Sequence, residues 1–129
     1  VGIEVTNVPW PASLLFYPAI GFVAEIVFHV LPLALVLAVV APLAKTDTNR
    51  LVWICIVFVS LLEPAFQLSA AVADRALAWI DAYVWLHVWA VNLLQLVVFR
   101  RYGFVSMYAF RLVYYLWWHI VWGYLRLLS

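Results

Sequence analysis

The sequence predicts an all-α protein, an integral membrane bundle of four transmembrane helices. Three observations predict it. Apolar residues make up 70% of the 129 positions and charged residues 10%, against roughly 25% charged in a soluble domain. Mean hydropathy is +1.10. The apolar residues fall into four runs separated by short turns. Each run has a core of 23–25 residues, where a bilayer needs about 20.

Residues 1–12 (VGIEVTNVPWPA) hold two prolines and an asparagine. They read as an extramembrane or interfacial lead-in, with Trp10 and Tyr17 at headgroup level. The bundle occupies 13–129. Its first apolar run covers 13–44 and is punctuated by Pro18, Pro32 and Pro42. The core of that run is 19–43, kinked near Pro32, because proline removes a backbone bond and crowds the preceding turn. KTDTNR (45–50) is a polar loop. A second span covers 51–73, with Pro64 near its middle and Asp74-Arg75 marking its end. A third covers 77–99. Arg100-Arg101-Tyr102-Gly103 is the next turn, with Gly103 suited to a helix end. A fourth covers 104–127. Glycine is scarce and no GxxxG occurs, so the helices are expected to pack through aromatics and alanines, not close backbone approach.

Lys45, Arg50, Arg100 and Arg101 lie on one face, Arg75 and Arg126 on the other. The excess places loops 45–50 and 100–103 in the cytoplasm, with both termini outside. A bacterial inner membrane is the expected location. Seven cations nearly cancel six anions, so no basic surface points to nucleic acid or an acidic substrate. The expected partners are the lipid bilayer and other integral membrane proteins. Cys55, alone and mid-span, forms no internal disulfide and reads as a small hydrophobe.

Glu25, His29, Glu63, His87, Arg111 and His119 lie inside the apolar runs. Ionisable residues in hydrocarbon are costly and normally face a protein interior, a partner or water. Counted from the cytoplasmic face at ~1.5 Å per residue, Glu63 and the three histidines share a layer about 6 Å thick. Arg111 is shallower, at about 12 Å, and Glu25 deeper, at about 28 Å. Glu25 and His29 are i,i+4 and share a helix face. Ser60, Glu63 and Gln67 form a stripe on the second span, and Arg111, Tyr115 and His119 another on the fourth. The simplest bundle turns these stripes inward.

Three chemistries are open to such residues. In the first, Glu63 and Arg111 form a structural ion pair across the second and fourth spans, and nothing reacts. In the second, His29, His87 and His119 hold a haem or chlorophyll-type pigment axially, or Glu25 and His29 join a carboxylate–histidine metal site. HExxH is absent, and no metal or cofactor is expected as the first reading. In the third, Glu25 or Glu63 acts as a general base toward water, with a histidine relaying protons and Arg111 holding an oxyanion. The many Trp and Tyr of the last span (Tyr114, Tyr115, Trp117, Trp118, Trp122, Tyr124) read as an interfacial belt or a packing surface, with a pigment- or quinone-lining wall as the alternative.

The run GFVAEIVFH, carrying Ala24, Glu25 and His29, resembles the EExxxR signature of intramembrane proteases of the CAAX-processing and bacteriocin-immunity (CPBP) type. RRYGFVSMYAFRLVYYLWWHIVWG resembles that family's late segment, where a basic-Gly turn leads into a helix bearing an HxxxN-type motif. The resemblance covers about residues 13–125 and implies the carboxyl-terminal core of such a protein. Ala24 replaces the first Glu and His29 the Arg. Phe58 is followed at i+4 by Leu62, beside Glu63, where the family's FxxxH motif would fall. Arg111 stands at the His position and Tyr115 at the Asn position. Only Glu25 survives from the water-activating set, so the resemblance implies a degenerate member. The expected function is a non-catalytic membrane subunit or scaffold. The alternatives are an active intramembrane glutamate-dependent peptidase using Glu25 or Glu63, and a haem- or pigment-binding subunit.

Overall fold

The computed structural model describes residues 8, 10–74, 79–122, 124 and 125, and helix accounts for nearly all of them. The chain forms four rods. The first joins α1 (Ser13–Glu25), a π-helical segment (Ile26–Val30) and α2 (Leu31–Val40). The second joins α3 (Thr48–Val59) and α4 (Leu62–Asp74). The third is α5 (Trp79–Tyr102). The fourth joins α6 (Phe104–Tyr115) and a second π-helical segment (Leu116–Trp122). Among the described residues there is no strand. Ser13–Val40, Thr48–Ser69 and Ala82–Tyr102 are each long and apolar enough to cross a membrane. The fourth rod is less apolar, because Arg111, His119 and its Trp and Tyr ring tips are polar. Most of the lead-in, Arg75, the expected start of the third span at 77–78 and the expected end of the fourth at 126–127 lie outside the described residues.

Proline sets where the rods bend. Pro64 has no N–H for the Ser60 carbonyl, and its ring crowds that group. Helix α3 therefore stops at Val59, and α4 restarts at Leu62 with Pro64 in its first turn, where the missing donor is harmless. The second span is thus two helices and not one interrupted at its middle. In the first rod Pro32 sits at the start of α2. The backbone widens just before it, and the Leu31 N–H reaches back to the Ile26 carbonyl in a π-type bond. Such single-turn widenings spread the backbone around a proline and recur at functional sites.

Helix boundaries differ from the expected span cores by a few residues: the first rod ends at Val40 against 43, and the second begins at Thr48 against 51. The first helix begins at Ser13, where the apolar run starts and ahead of the expected core at 19, and Tyr17 is buried in the bundle at 3% exposure. The third helix continues through Tyr102, past the expected end at 99. Arg100 and Arg101 occupy its last turn, where cations face the carbonyl end of the helix. Arg100 also lies 4.6 Å over the Trp53 ring and donates to Asn49 Oδ1.

Residues 41–47 connect the first two rods, and Gly103 alone connects the last two. Gly103 has φ +90° and ψ −177°, a conformation open essentially to glycine only. Short connections make successive rods antiparallel. The first rod packs on the second, the second on the third, the third on the fourth and the fourth back on the first, closing a ring. An apolar core (Leu33, Leu51, Cys55, Ile56, Val59, Leu96) fills the end near loop 41–47. The outer surface is apolar too, with Leu15 81%, Val105 78% and Leu43 76% exposed. The polar residues occupy the middle layer.

Candidate functional site

Arg111 is the hub of that layer. It is 2% exposed and reaches from α6 toward the other three rods. Its Nε donates to Glu25 Oε1 at 2.6 Å. One terminal nitrogen donates to Glu63 Oε2 at 2.8 Å and to Gln95 Oε1 at 3.1 Å. The other donates to the Tyr115 hydroxyl at 2.8 Å and to Glu63 Oε1 at 3.3 Å. Asn92 Oδ1 lies at 3.4 Å. Gln95 in turn donates from Nε2 to Glu25 Oε1 at 2.5 Å. A planar fork of five N–H donors suits this task, because it can face two carboxylates in different directions at once.

The rods deliver these groups for local reasons. Glu25 is the last residue of α1, just before the backbone widens, and Glu63 stands in the first turn of α4, just after the break. Gly21 lies one turn before Glu25. A Cβ there would sit 3.1 Å from the Tyr115 ring and 3.4 Å from Arg111 Cδ. The missing side chain lets the first and fourth rods close until Arg111 touches Glu25. The glycine here admits an aromatic ring and an arginine stem, not a second backbone. The depth count also misleads, since Glu25 and Arg111 are in contact despite an expected separation of about 16 Å along the normal. The first rod runs 28 residues, about 42 Å. The second rod, Thr48–Asp74, is nearly as long, so length alone does not set which layers meet.

The three histidines have separate surroundings. His29 is fully buried, with Nδ1 3.0 Å from Glu25 Oε2. That contact is close enough for an ion pair but out of line for a hydrogen bond, and Nε2 has no partner among the described residues. His87 Nε2 is 3.1 Å from the Tyr114 hydroxyl, and its ring stacks on Trp118 at 5.3 Å. His119, in the second π-helical segment, stacks on Tyr17 at 4.6 Å and meets the edge of Tyr115 at 5.1 Å. Among the described residues, no three His, Cys, Asp or Glu side chains gather as a metal-ligand set.

A cavity of about 140 Å³ opens between the second, third and fourth rods, with Glu63, Asn92, Gln95 and Arg111 at its polar end. His87, Tyr114, Tyr115, Trp118 and His119 supply its aromatic lining. His29 does not line it. The volume falls below the roughly 300–1,000 Å³ of pockets for drug-sized ligands.

Sequence reasoning singled out Glu25, Glu63 and Arg111, and these meet. It missed Asn92 and Gln95, both at most 1% exposed. The available signal was two amides at i,i+3 in an otherwise apolar span, which share one helix face. It also missed Trp89, whose Nε1 donates to Ser60 Oγ at 3.0 Å beside the helix break.

Fold and site together define a helical protein with membrane-crossing rods and a charged, hydrogen-bonded interior. Comparison with protein-family models, curated proteins and solved structures finds no match to this chain.

Proposed function

We propose that the chain is a non-catalytic integral membrane subunit or scaffold that packs against other membrane proteins. Its helical core would be a degenerate relative of the CPBP proteases. One observation carries this reading: Arg111 engages both interior carboxylates. Glu25 is fully buried, with Oε1 accepting from Arg111 and Gln95. Both oxygens of Glu63 accept from Arg111. A general base needs a lone pair aimed at its water or substrate. Glu63 has both oxygens on Arg111. Glu25 Oε2, without a hydrogen-bond partner among the described residues, is fully buried beside His29 and does not line the cavity. A guanidinium cannot replace the histidine of the resembled motif as base or relay, since it does not deprotonate in proteins.

The outer surface supports the partner half of the proposal. Trp117 is 67% exposed and Tyr83 57%. Such rings give rigid contact area to lipid headgroups or partner helices. In this reading all four rods cross a bacterial inner membrane, with loops 45–50 and 100–103 in the cytoplasm. Mild-detergent purification of the native assembly should bring down defined membrane proteins at fixed stoichiometry. The same preparation should cleave no peptide, with or without Glu25→Gln. Cleavage abolished by Glu25→Gln would overturn the scaffold reading in favour of the peptidase.

A further inference from the structure

Four of the seven cations gather at one end of the bundle. Lys45 lies in the first connection and Arg50 in the first turn of α3, while Arg100 and Arg101 close α5. Asp47 is the one carboxylate in these segments, so four cations against one anion leave this end at a net +3. The ion pairs among the described residues involve only Glu25, His29, Glu63 and Arg111. The cations at the loop end are therefore not spent on carboxylates of the bundle.

Arg100 differs from its three neighbours in how it is held. Helices α3 and α5 pack together, and Asn49 and Trp53, at i,i+4, share a face of α3. Arg100 reaches across from α5 to that face. It lies 4.6 Å over the Trp53 ring and donates to Asn49 Oδ1. A guanidinium has five N–H donors, and Arg100 is exposed, so donors remain for an oxygen outside the bundle. A fork already fixed in place loses less freedom on binding than a free one.

The surface below Arg100 indicates the partner. Trp53 and Val57 are again i,i+4, and each is 41% exposed. An apolar strip thus descends from the guanidinium along α3, with a tryptophan at its top, where such rings stand at headgroup level. A phospholipid matches this pattern, phosphate above and acyl chain below. A free phosphate would use the cation and leave the strip idle. A zwitterionic headgroup brings an ammonium, for which this end offers Asp47 alone.

We propose that Arg100 binds the phosphate of an anionic phospholipid whose acyl chain lies along Trp53 and Val57. Lys45, Arg50 and Arg101 supply the surrounding positive potential. The guanidinium fork suits two phosphate oxygens at once. The site rests on α3 and α5 crossing a bilayer and is independent of the scaffold role.

The test is native mass spectrometry of the full chain in mild detergent. Phosphatidylglycerol and phosphatidylcholine with identical acyl chains are offered at equal concentration. Wild type should retain one phosphatidylglycerol, preferred by at least about fivefold. Trp53→Leu keeps every charge but removes the ring that holds Arg100, and should lower that preference by about two- to fivefold. Arg100→Gln should remove most of it. Arg101→Gln deletes the same charge without touching the held fork, and should lower it less. Equal retention of the two lipids by wild type overturns the proposal. So does an unchanged preference in Trp53→Leu, or an equal loss in Arg100→Gln and Arg101→Gln, either of which assigns a diffuse field. Displacement of the lipid by an equal concentration of glycerol phosphate assigns a free anion and also overturns it. The lipid comparison and the displacement are read on wild type, so misfolding of a variant leaves the test decisive.

Discussion

Replacing Arg111 with methionine keeps an unbranched apolar stem of similar reach and removes the charge. Two effects contribute to the loss of stability. The first is the lost hydrogen bonds. Between membrane helices these are worth ~0.6 kcal/mol on average and at most ~1.7. Arg111 makes several, two of them long at 3.3 and 3.4 Å, so their sum is modest. The second effect, the charge left behind, is greater. Glu25 is fully buried and Glu63 8% exposed, so two carboxylates are left facing each other without a cation. Removing one partner of a buried pair costs about 3–5 kcal/mol, and we expect Arg111→Met to fall in that range. Adding Glu25→Gln and Glu63→Gln should recover most of it, because amides at the same positions carry no charge to leave unpaired. The assay is equilibrium unfolding in mixed maltoside–dodecyl sulfate micelles, followed by tryptophan fluorescence and far-UV dichroism. A single variant within about 1 kcal/mol of wild type, or a triple variant no more stable than the single, would refute the reasoning.

Further outcomes follow at Gly21, Gly103, Thr46 and Cys55. Gly21→Leu should destabilise the bundle by about 1–3 kcal/mol in the same unfolding assay, because the Tyr115 ring lies 3.1 Å from the position of even a first carbon. Gly21→Ala should shift it much less, since the helix gains about 0.5–1 kcal/mol where glycine is replaced. Gly103→Ala should cost about 1–3 kcal/mol through backbone strain alone, as nothing lies within 4 Å of a Cβ there. In a Cys55→Ser background, a cysteine at Thr46 should react with membrane-impermeant maleimide only from the cytoplasmic side; labelling from outside would invert the proposed orientation. Wild-type Cys55, 4% exposed, should react only on unfolding.

Much of the bundle is legible in the sequence because apolar runs, proline and glycine act locally. Gly103 marks its turn, and the polar loop after Ala44 marks another. Glu25, Glu63 and Arg111 stand out for a different reason: their presence in hydrocarbon-length runs requires partners. The sequence does not carry axial registration between rods. A count of residues measures distance along each helix, whereas the offset between rods and the reach of the arginine side chain decide which layers meet. The same limit hides Asn92 and Gln95, whose i,i+3 spacing gives a shared face but not the rod it turns toward. The packing of the Tyr17 ring against His119 and Tyr115 is likewise hidden, since position near a helix start does not say which neighbour a ring meets.

The arrangement also bears on why the two π-helical segments stand where they do. Each begins close to a cluster residue: Ile26 directly follows Glu25, and Leu116 follows Arg111 by five positions. Widening a helix turns the residues beyond it to a new face, so one rod can present two different stripes to the interior. The first rod holds Glu25 against Arg111 while His29, within the segment, is also fully buried. The fourth holds Arg111 in the cluster while His119, within the segment, meets Tyr17. A regular helix would carry its stripe around the axis with distance from the cluster. Restoring regular geometry by deleting one residue from either segment should therefore separate the charged layer from the aromatic layer. Arg111 would then still find Glu63, whose rod carries no such segment, while His119 would lose its stacking on Tyr17 or His29 its buried place.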